Sequence, residues 1–300
     1  MTDLVIRPLI AGEEELFLSM AESPLARVQS PDRDYRSLLA ANQYRPEWTW
    51  VALRDGRTVA RAAWWGGPTD AEPINLDWFD FDEVEVGADL LRAATPRTEY
   101  CVLLPPGWRQ RPEVRRAGEA RIDAAVRSGM SPLVERLRYE WTPANGLPDR
   151  SDRLRYRPEP DDEAILEVLR RIHSDTLDAH ARRTIAAHGL DAAAQEDLDF
   201  LRWCPSPREW WRLAHTPAGD LVGLTVPARN HTAPVIGIIG VVPEQRGHGY
   251  GFDLLAEATH LLVEQGVERV VAETDKTNTP MARTFARAGY PVTQERVYLT

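Results

Sequence analysis

The densest chemical signal in the chain is Val241-Val242-Pro243-Glu244-Gln245-Arg246-Gly247-His248-Gly249-Tyr250-Gly251. Three glycines in five positions remove Cβ atoms where a loop must come close to a ligand and take positive φ. Consecutive backbone N–H groups can then converge on one point. An apolar run, Val235 to Val242, precedes the loop, and an amphipathic run, Phe252 to Val263, follows it. The order is strand, turn, helix. The helix N-terminus adds partial positive charge and Arg246 adds a full one, a combination suited to a pyrophosphate.

Two common phosphate loops fail on spacing. A P-loop needs Gly-Lys-Ser/Thr, and the only lysine is Lys276; a Rossmann fingerprint needs a third glycine where Phe252 stands. What remains is Arg-x-x-Gly-x-Gly, as Arg246, Gly249 and Gly251. Between strand and helix, this resembles the acyl-CoA pyrophosphate loop of the GCN5-related N-acetyltransferase superfamily. A plain connecting turn needs only one or two such residues.

The elements that must position this loop follow from length and pattern. A chain of 300 residues suits two domains of about 150. With 43% hydrophobic and 27% charged residues the composition is globular. The longest apolar run falls far short of the roughly 20 residues of a membrane span, and Met1-Thr2-Asp3-Leu4 lacks the start of an export signal. Cys101 and Cys204 have no ligand pattern beside them, which argues against a disulfide framework and against a metal site. The expectation is a cytoplasmic protein, monomer or homodimer. A formal charge of −10 opposes nucleic-acid binding and suits a cationic small substrate, as it also suits simple solubility.

The two halves repeat one pattern. Ile6-Arg7-Pro8 before Glu13-Glu14-Glu15 matches Tyr156-Arg157-Pro158 before Asp161-Asp162-Glu163, each a short strand and an acidic helix start. Hairpins follow: Thr49 to Leu53 with Thr58 to Trp64, and Trp210 to Ala214 with Leu221 to Pro227. Fourth strands Ile74 to Phe81 and Val235 to Val242 lead to Gly87-Ala88-Asp89-Leu90-Leu91 and Gly251-Phe252-Asp253-Leu254-Leu255. Fifth strands (Tyr100 to Leu104; Arg269 to Thr274), helices (Val114 to Arg127; Thr279 to Ala288) and closing strands (Glu135 to Trp141; Glu295 to Leu299) complete two mixed α/β units. The resulting division is 1–142, a linker 143–152 rich in Pro, Gly and Asn, and 153–300. In place of the second half's loop the first half carries Asp82, Glu83 and Glu85, whose charges would repel a diphosphate, so it reads as a degenerate copy.

The tandem arrangement resembles the two-domain members of the same superfamily, and implies two acyl-CoA N-acyltransferase-like domains of α/β class. The resemblance places the splayed fourth strand, Ile239, Gly240, Val241 and Val242, against the pantetheine arm. It places Arg246, Gly247, His248, Gly249, Tyr250 and Gly251 around the pyrophosphate. Asn278, otherwise a helix N-cap, would touch the arm. Phe285 stands beside the cofactor where many relatives have a tyrosine that protonates the leaving thiolate, and phenylalanine has no proton to give. Relatives often carry a glutamate on the fourth strand, but Val235-Ile236-Gly237-Ile238-Ile239 has none; Glu273 and Asp275, at the end of the fifth strand, are the nearest candidate bases. Strand-end carboxylates are also common surface groups. The expected activity is transfer of an acetyl or other short acyl group from acyl-CoA to a small-molecule amine by direct attack. Non-catalytic acyl-CoA binding is the alternative, and a protein scaffold is a further one, suggested by Trp48, Trp50, Trp64, Trp65, Trp78, Trp108 and Trp141.

Overall fold

Alternating apolar and polar residues become strands where turn chemistry allows the chain to reverse: Asp55 and Gly56, with φ of 53° and 77°, close one hairpin as an Asp-Gly turn should. The computed structural model describes residues 4–300 apart from 22, 24, 26–33, 96 and 231. Met1, Thr2 and Asp3, on which the reading of the amino terminus rests, lie outside the described residues. The first half supplies strands β1 (Leu4–Pro8), β2 (Thr49–Arg54), β3 (Arg57–Trp65), β4 (Asn75–Phe81), β5 (Glu99–Leu104) and β6 (Pro132–Trp141), and helices α1 (Glu14–Leu18), α2 (Tyr35–Ala40), α3 (Val84–Ala93) and α4 (Pro112–Arg127). The second supplies β7 (Arg155–Pro158), β8 (Arg212–His215), β9 (Leu221–Arg229), β10 (Pro234–Val241), β11 (Val270–Asp275) and β12 (Val292–Leu299), and helices α5 (Asp162–His173), α6 (Ala179–His188), α7 (Leu190–Trp203), α8 (Tyr250–Glu264) and α9 (Thr279–Arg287). No helix among the described residues is long and apolar enough to cross a membrane.

The compact units do not follow chain order. Unit 1 takes the chain up to Glu135 together with Gln294–Thr300, and unit 2 takes Arg136–Thr293. Each half was expected to close its own sheet, and the closing strands are instead exchanged. The end of β12 pairs antiparallel with β5, from Glu295↔Leu104 to Leu299↔Tyr100, and the end of β6 pairs antiparallel with β11, from Asp275↔Arg136 to Val270↔Trp141. The sheet of unit 1 therefore runs β1-β2-β3-β4-β5-β12 and that of unit 2 β6-β11-β10-β9-β8-β7. Each fifth strand has an open edge whose N–H and C=O groups need a partner, and the closing strand of the other half supplies it.

Residues 143–152, expected as a linker, lie within unit 2. Thr142 and Asn145 form a capping box, the Trp141 Nε1–H donates to Gly146 O at 2.7 Å, and Arg150 pairs with Glu257 and Glu264 of α8 at 3.0 and 2.7 Å. Tyr139 and Trp141 from β6 join Ile165, Leu169, Leu255, Leu262 and Phe285 in the core of unit 2. Of the seven tryptophans that suggested a scaffold, Trp48, Trp64, Trp108 and Trp141 are buried, and Trp50, Trp65 and Trp78 are partly buried.

A chain lacking β6 loses the edge of unit 2 and part of its core, so a fragment spanning 143–300 is expected to show no cooperative unfolding transition. In the intact chain Trp141→Ala should cost about 3–5 kcal/mol in urea denaturation, the range for emptying a buried tryptophan site. Trp203, 46% exposed, should cost less than about 1 kcal/mol when changed to alanine.

Candidate functional site

The site begins where a strand leaves its neighbour. Strand β10 follows β9 along its length, from Pro234↔Arg229 to Val241↔Gly223, with a bulge between Ile236 and Ile238. With β11 it forms only one parallel pair, Val235↔Val271. A bulge bends the strand that carries it and ends regular pairing. From Ile238 to Val241 the edge of β10 facing β11 has no strand partner, while the far edge of β11 is taken by β6. Gly240 lets the wall close over this opening: a Cβ there would stand 2.4 Å from Ile172 Cδ1 of α5.

At the end of β10, Val242 N donates to Val222 O at 2.9 Å and a short turn, Pro243–Gln245, leads into the glycine loop. Gly247 and Gly249 have φ of 84° and 78°, conformations that a side chain strains, and a Cβ at either would meet nothing within 4 Å. Gly249 is the N-cap of α8, and no side chain caps it. Helices α5, α6 and α9 are by contrast capped by Asp161, Asp178 and Asn278. Among the described residues the backbone N–H groups of Gly247 to Gly251 have no backbone acceptor outside the helix; the first donor to find one is Phe252, to Gly249 O at 3.1 Å. Helix α8 thus presents an open, positively polarised N-terminus beside the strand opening. His248 stacks on Tyr250, ring centroids 5.6 Å apart.

Arg246 behaves differently from the expectation. Its Nε–H donates to Val241 O at 3.1 Å, its Nη1 to Asp175 O and Oδ2 at 2.7 and 3.0 Å, and its Nη2 to Ile172 O at 3.0 Å. The guanidinium ties the loop to the carboxyl end of α5, where helix carbonyls attract a cation, and does not stand over the N-terminus of α8 as a free charge. Arg171 of the same helix pairs with Glu244. A cation that the sequence reading missed does lie at the loop: Arg153 donates to His248 O at 2.6 Å, pairs with Asp253 at 3.1 Å and covers the Tyr250 ring at 4.7 Å. No motif marks it, because it stands before the first strand of its half.

The two expected carboxylates divide. Asp275 is fully buried; it accepts from Arg136 Nε and from Ala179 N, both at 2.7 Å. Burial pushes its carboxyl above the usual range against the pull of Arg136. Asp275 therefore fastens the start of α6 to the end of β11, and its burial keeps it from a substrate. Glu273 is partly exposed, 3.9 Å from Arg136 Nη1. Arg136, delivered on β6, also pairs with Asp178. Asn278 caps α9 through Met281 N at 3.2 Å. Phe285 lies in the core, 2% exposed and stacked on Tyr139 at 4.4 Å, so it is a packing residue and does not line the loop.

Residues 174–290 match the model of the Acetyltransferase (GNAT) family. The chain is 27% identical over 184 residues to a mycothiol acetyltransferase of Pseudarthrobacter chlorophenolicus, covering 57% of this chain and 54% of that one, and 28% identical over 184 residues to one of an Arthrobacter species, with the same coverage. It spans about half the length of the curated relatives it matches. A GCN5-related N-acetyltransferase of Sphaerobacter thermophilus shares the fold over 99% of this chain and 94% of its own, with a TM-score of 0.57 at 16% identity. A fungal glucosamine N-acetyltransferase region shares it over 100% of this chain and 38% of its own, with a TM-score of 0.56 at 13% identity. The mixed α/β fold of the two units is thus that of solved N-acetyltransferases. The family match lies wholly within the second half of the chain and takes in the glycine loop.

Removing the Arg246 guanidinium leaves carbonyls of two elements without donors. Arg246→Gln should lower unfolding stability by about 1–3 kcal/mol, read by urea denaturation; a stability equal to the unmodified protein would contradict the tethering role.

Proposed function

We propose that unit 2 binds acetyl-CoA or another short acyl-CoA and transfers the acyl group to the amine of a small molecule by direct attack. The observation that carries this reading is the uncapped N-terminus of α8 set beside the unpaired edge of β10. The N–H groups of Gly247 to Gly251 would hold the pyrophosphate, with Arg153 supplying charge at the loop. The main chain of Ile239 to Val241 would pair with the pantetheine arm, and Asn278, His248 and Tyr250 would flank it. Acyl-CoA supplies an activated thioester: an N–C bond forms as the C–S bond breaks, and the thiol leaves. The chain's own contribution is orientation, polarisation by fixed backbone donors and a place for the amine proton, terms worth several kcal/mol together. Glu273, partly exposed at the end of β11 beside Arg136, is the carboxylate assigned to take that proton. Phe285 gives none back, so the thiolate takes its proton from solvent.

The relatives' name makes mycothiol-type acceptors one class for the test panel, beside simple aliphatic and aromatic amines. Acyl-CoA binding without transfer is the second reading, supported by Phe285 in the core and by the burial of Asp275. Incubation of the purified chain with acetyl-CoA and an amine panel, read by mass, separates the two: binding by calorimetry with no acylated amine favours the second.

Gly249→Asp places a side chain and a negative charge at the N-terminus of α8, and is expected to abolish acyl-CoA binding in calorimetry while leaving the circular dichroism spectrum unchanged. Unchanged affinity would remove the anchor of the proposal. Glu273→Gln should lower kcat about 100-fold with little change in acyl-CoA affinity. The rate of the unmodified protein should rise with pH as the acceptor amine loses its proton, with no basic limb from a tyrosine acid.

A further inference from the structure

Unit 1 has the same strand opening and lacks the means to use it. Strand β4 follows β3 with a bulge between Leu76 and Trp78, where β3 shifts register at Ala63/Trp64, and it pairs in parallel with β5 only at Asn75↔Glu99 and Leu76↔Tyr100. Matching the bulges of the two units sets Phe79 against Ile239 and Asp80 against Gly240. The connection to the following helix is different. In unit 2 it covers residues 242–249, and in unit 1 only Asp82 and Glu83, because α3 already starts at Val84. Glu85 and Gly87 are thus helical. The acids expected to repel a diphosphate are paired with arginines: Asp82 with Arg57 at 3.0 Å, Glu83 with Arg54 at 2.6 Å, and Glu85 with Arg92 and Arg127 at 2.9 and 3.2 Å. The first half lost the loop by length, and charge is not the cause.

The opening between β4 and β5 is also filled. Arg121 of α4 donates from Nε to Phe79 O at 2.9 Å and from Nη1 to Ala117 O at 3.1 Å, and its Nη2 binds the Asp80 carboxylate. Asp80 is held from its other side by Arg61, Nε and Nη2 to Oδ2 at 3.0 and 2.9 Å, and Arg61 donates onward to Phe17 O at 2.8 Å. Asp80 and Arg61 are both buried. Counted back from the glycine that ends each helix, Gly129 and Gly289, the position of Arg121 is held in unit 2 by Met281.

We propose that Arg121 is the built-in occupant of this opening: it takes Phe79 O and the Asp80 carboxylate, whereas the matching positions of unit 2 are Ile239 and Gly240, and the arginine there, Arg246, takes only Val241 O at the end of the strand. Unit 1 therefore takes no acyl-CoA, and the chain carries one acyl-CoA site. A buried carboxylate between two guanidiniums, each bonded to main-chain carbonyls, is a closed set of partners that an amide-bearing arm would have to break. The count of one site rests on the function proposed for unit 2; the filling of unit 1 does not.

Two measurements on the intact chain test this separately. Calorimetric titration with acetyl-CoA should saturate at one equivalent, and Gly249→Asp should bind none. Two equivalents for the unmodified chain, falling to one in Gly249→Asp, would overturn the proposal, whereas no binding by the unmodified chain would overturn the function of unit 2 alone. The second measurement uses Cys101, which lines the small cavity at the opening with Asp77, Asp80, Tyr100 and Arg121, with buried Cys204 as internal control. Arg121→Ala should speed modification of Cys101 by a thiol-disulfide reagent at least tenfold and leave Cys204 unchanged. Should that variant not fold, Arg121→Gln, which keeps a donor for Phe79 O and loses the charge facing Asp80, should show the same acceleration in smaller degree. A folded variant with an unchanged Cys101 rate would show that Arg121 does not close the opening.

Discussion

A strand that parts from its neighbour inside a fold exposes main-chain N–H and C=O groups that must find partners, and the architecture of both units turns on that constraint. In unit 2 the parting follows the bulge at Gly237, after the single pair Val235↔Val271. The freed edge runs directly into a loop whose N–H groups are also open. The edge and the loop donors lie side by side, with the Arg246 Nε–H on Val241 O at their junction. In unit 1 the same parting is answered from within, by the guanidinium of Arg121 on Phe79 O. The two units thus share a backbone problem and differ in who solves it.

Arginine is the residue that answers most of these problems. The chain has 36 cationic residues of which Lys276 is the only lysine. A planar fork with five donors can hold carbonyls and carboxylates from several elements at once, which an ammonium cannot do with the same direction. Arg246 spans β10 and the end of α5; Arg136 spans β6, β11 and the start of α6. Together these two fix residues 172–179, the stretch that crosses from α5 to α6 beside the strand opening. The surplus of acidic residues has a matching role as the other half of these clamps, since Asp80, Asp178 and Asp275 each bind an arginine from a different element.

Local pattern made most elements legible. The strand and helix around the glycine loop, Pro234–Val241 and Tyr250–Glu264, fall within a residue or two of where periodicity and glycine placement put them. Positive φ at Gly247 and Gly249 was likewise readable from residue type. Partners far away in sequence were not. Arg246 reads as a ligand-binding charge until its acceptors, Ile172 and Asp175, are seen to be more than seventy residues away. Phe285 reads as a site residue because its position in the motif is right, while its ring direction depends on Tyr139 of another half. The similarity of Gly87-Ala88-Asp89-Leu90-Leu91 to Gly251-Phe252-Asp253-Leu254-Leu255 aligned the helices and concealed the shorter loop, because helical residues before Gly87 look no different in type from loop residues.

The strand exchange was invisible for a related reason and explains why a unit without a phosphate loop persists in the fold. Strands β6 and β12 both alternate and both follow a helix ended by a glycine of positive φ, Gly129 and Gly289. Alternation alone does not say which sheet either strand closes. Once exchanged, Arg136 and Tyr139 reach unit 2 on chain from the first half, and Val297 and Leu299 reach the core of unit 1 on chain from the second. A half cut from the chain therefore lacks its own edge strand and keeps one whose partners are gone. The degenerate unit is held in place by the hydrogen bonds and core volume that β6 and β12 each supply to the other unit, which makes its retention a matter of folding even where it binds no cofactor.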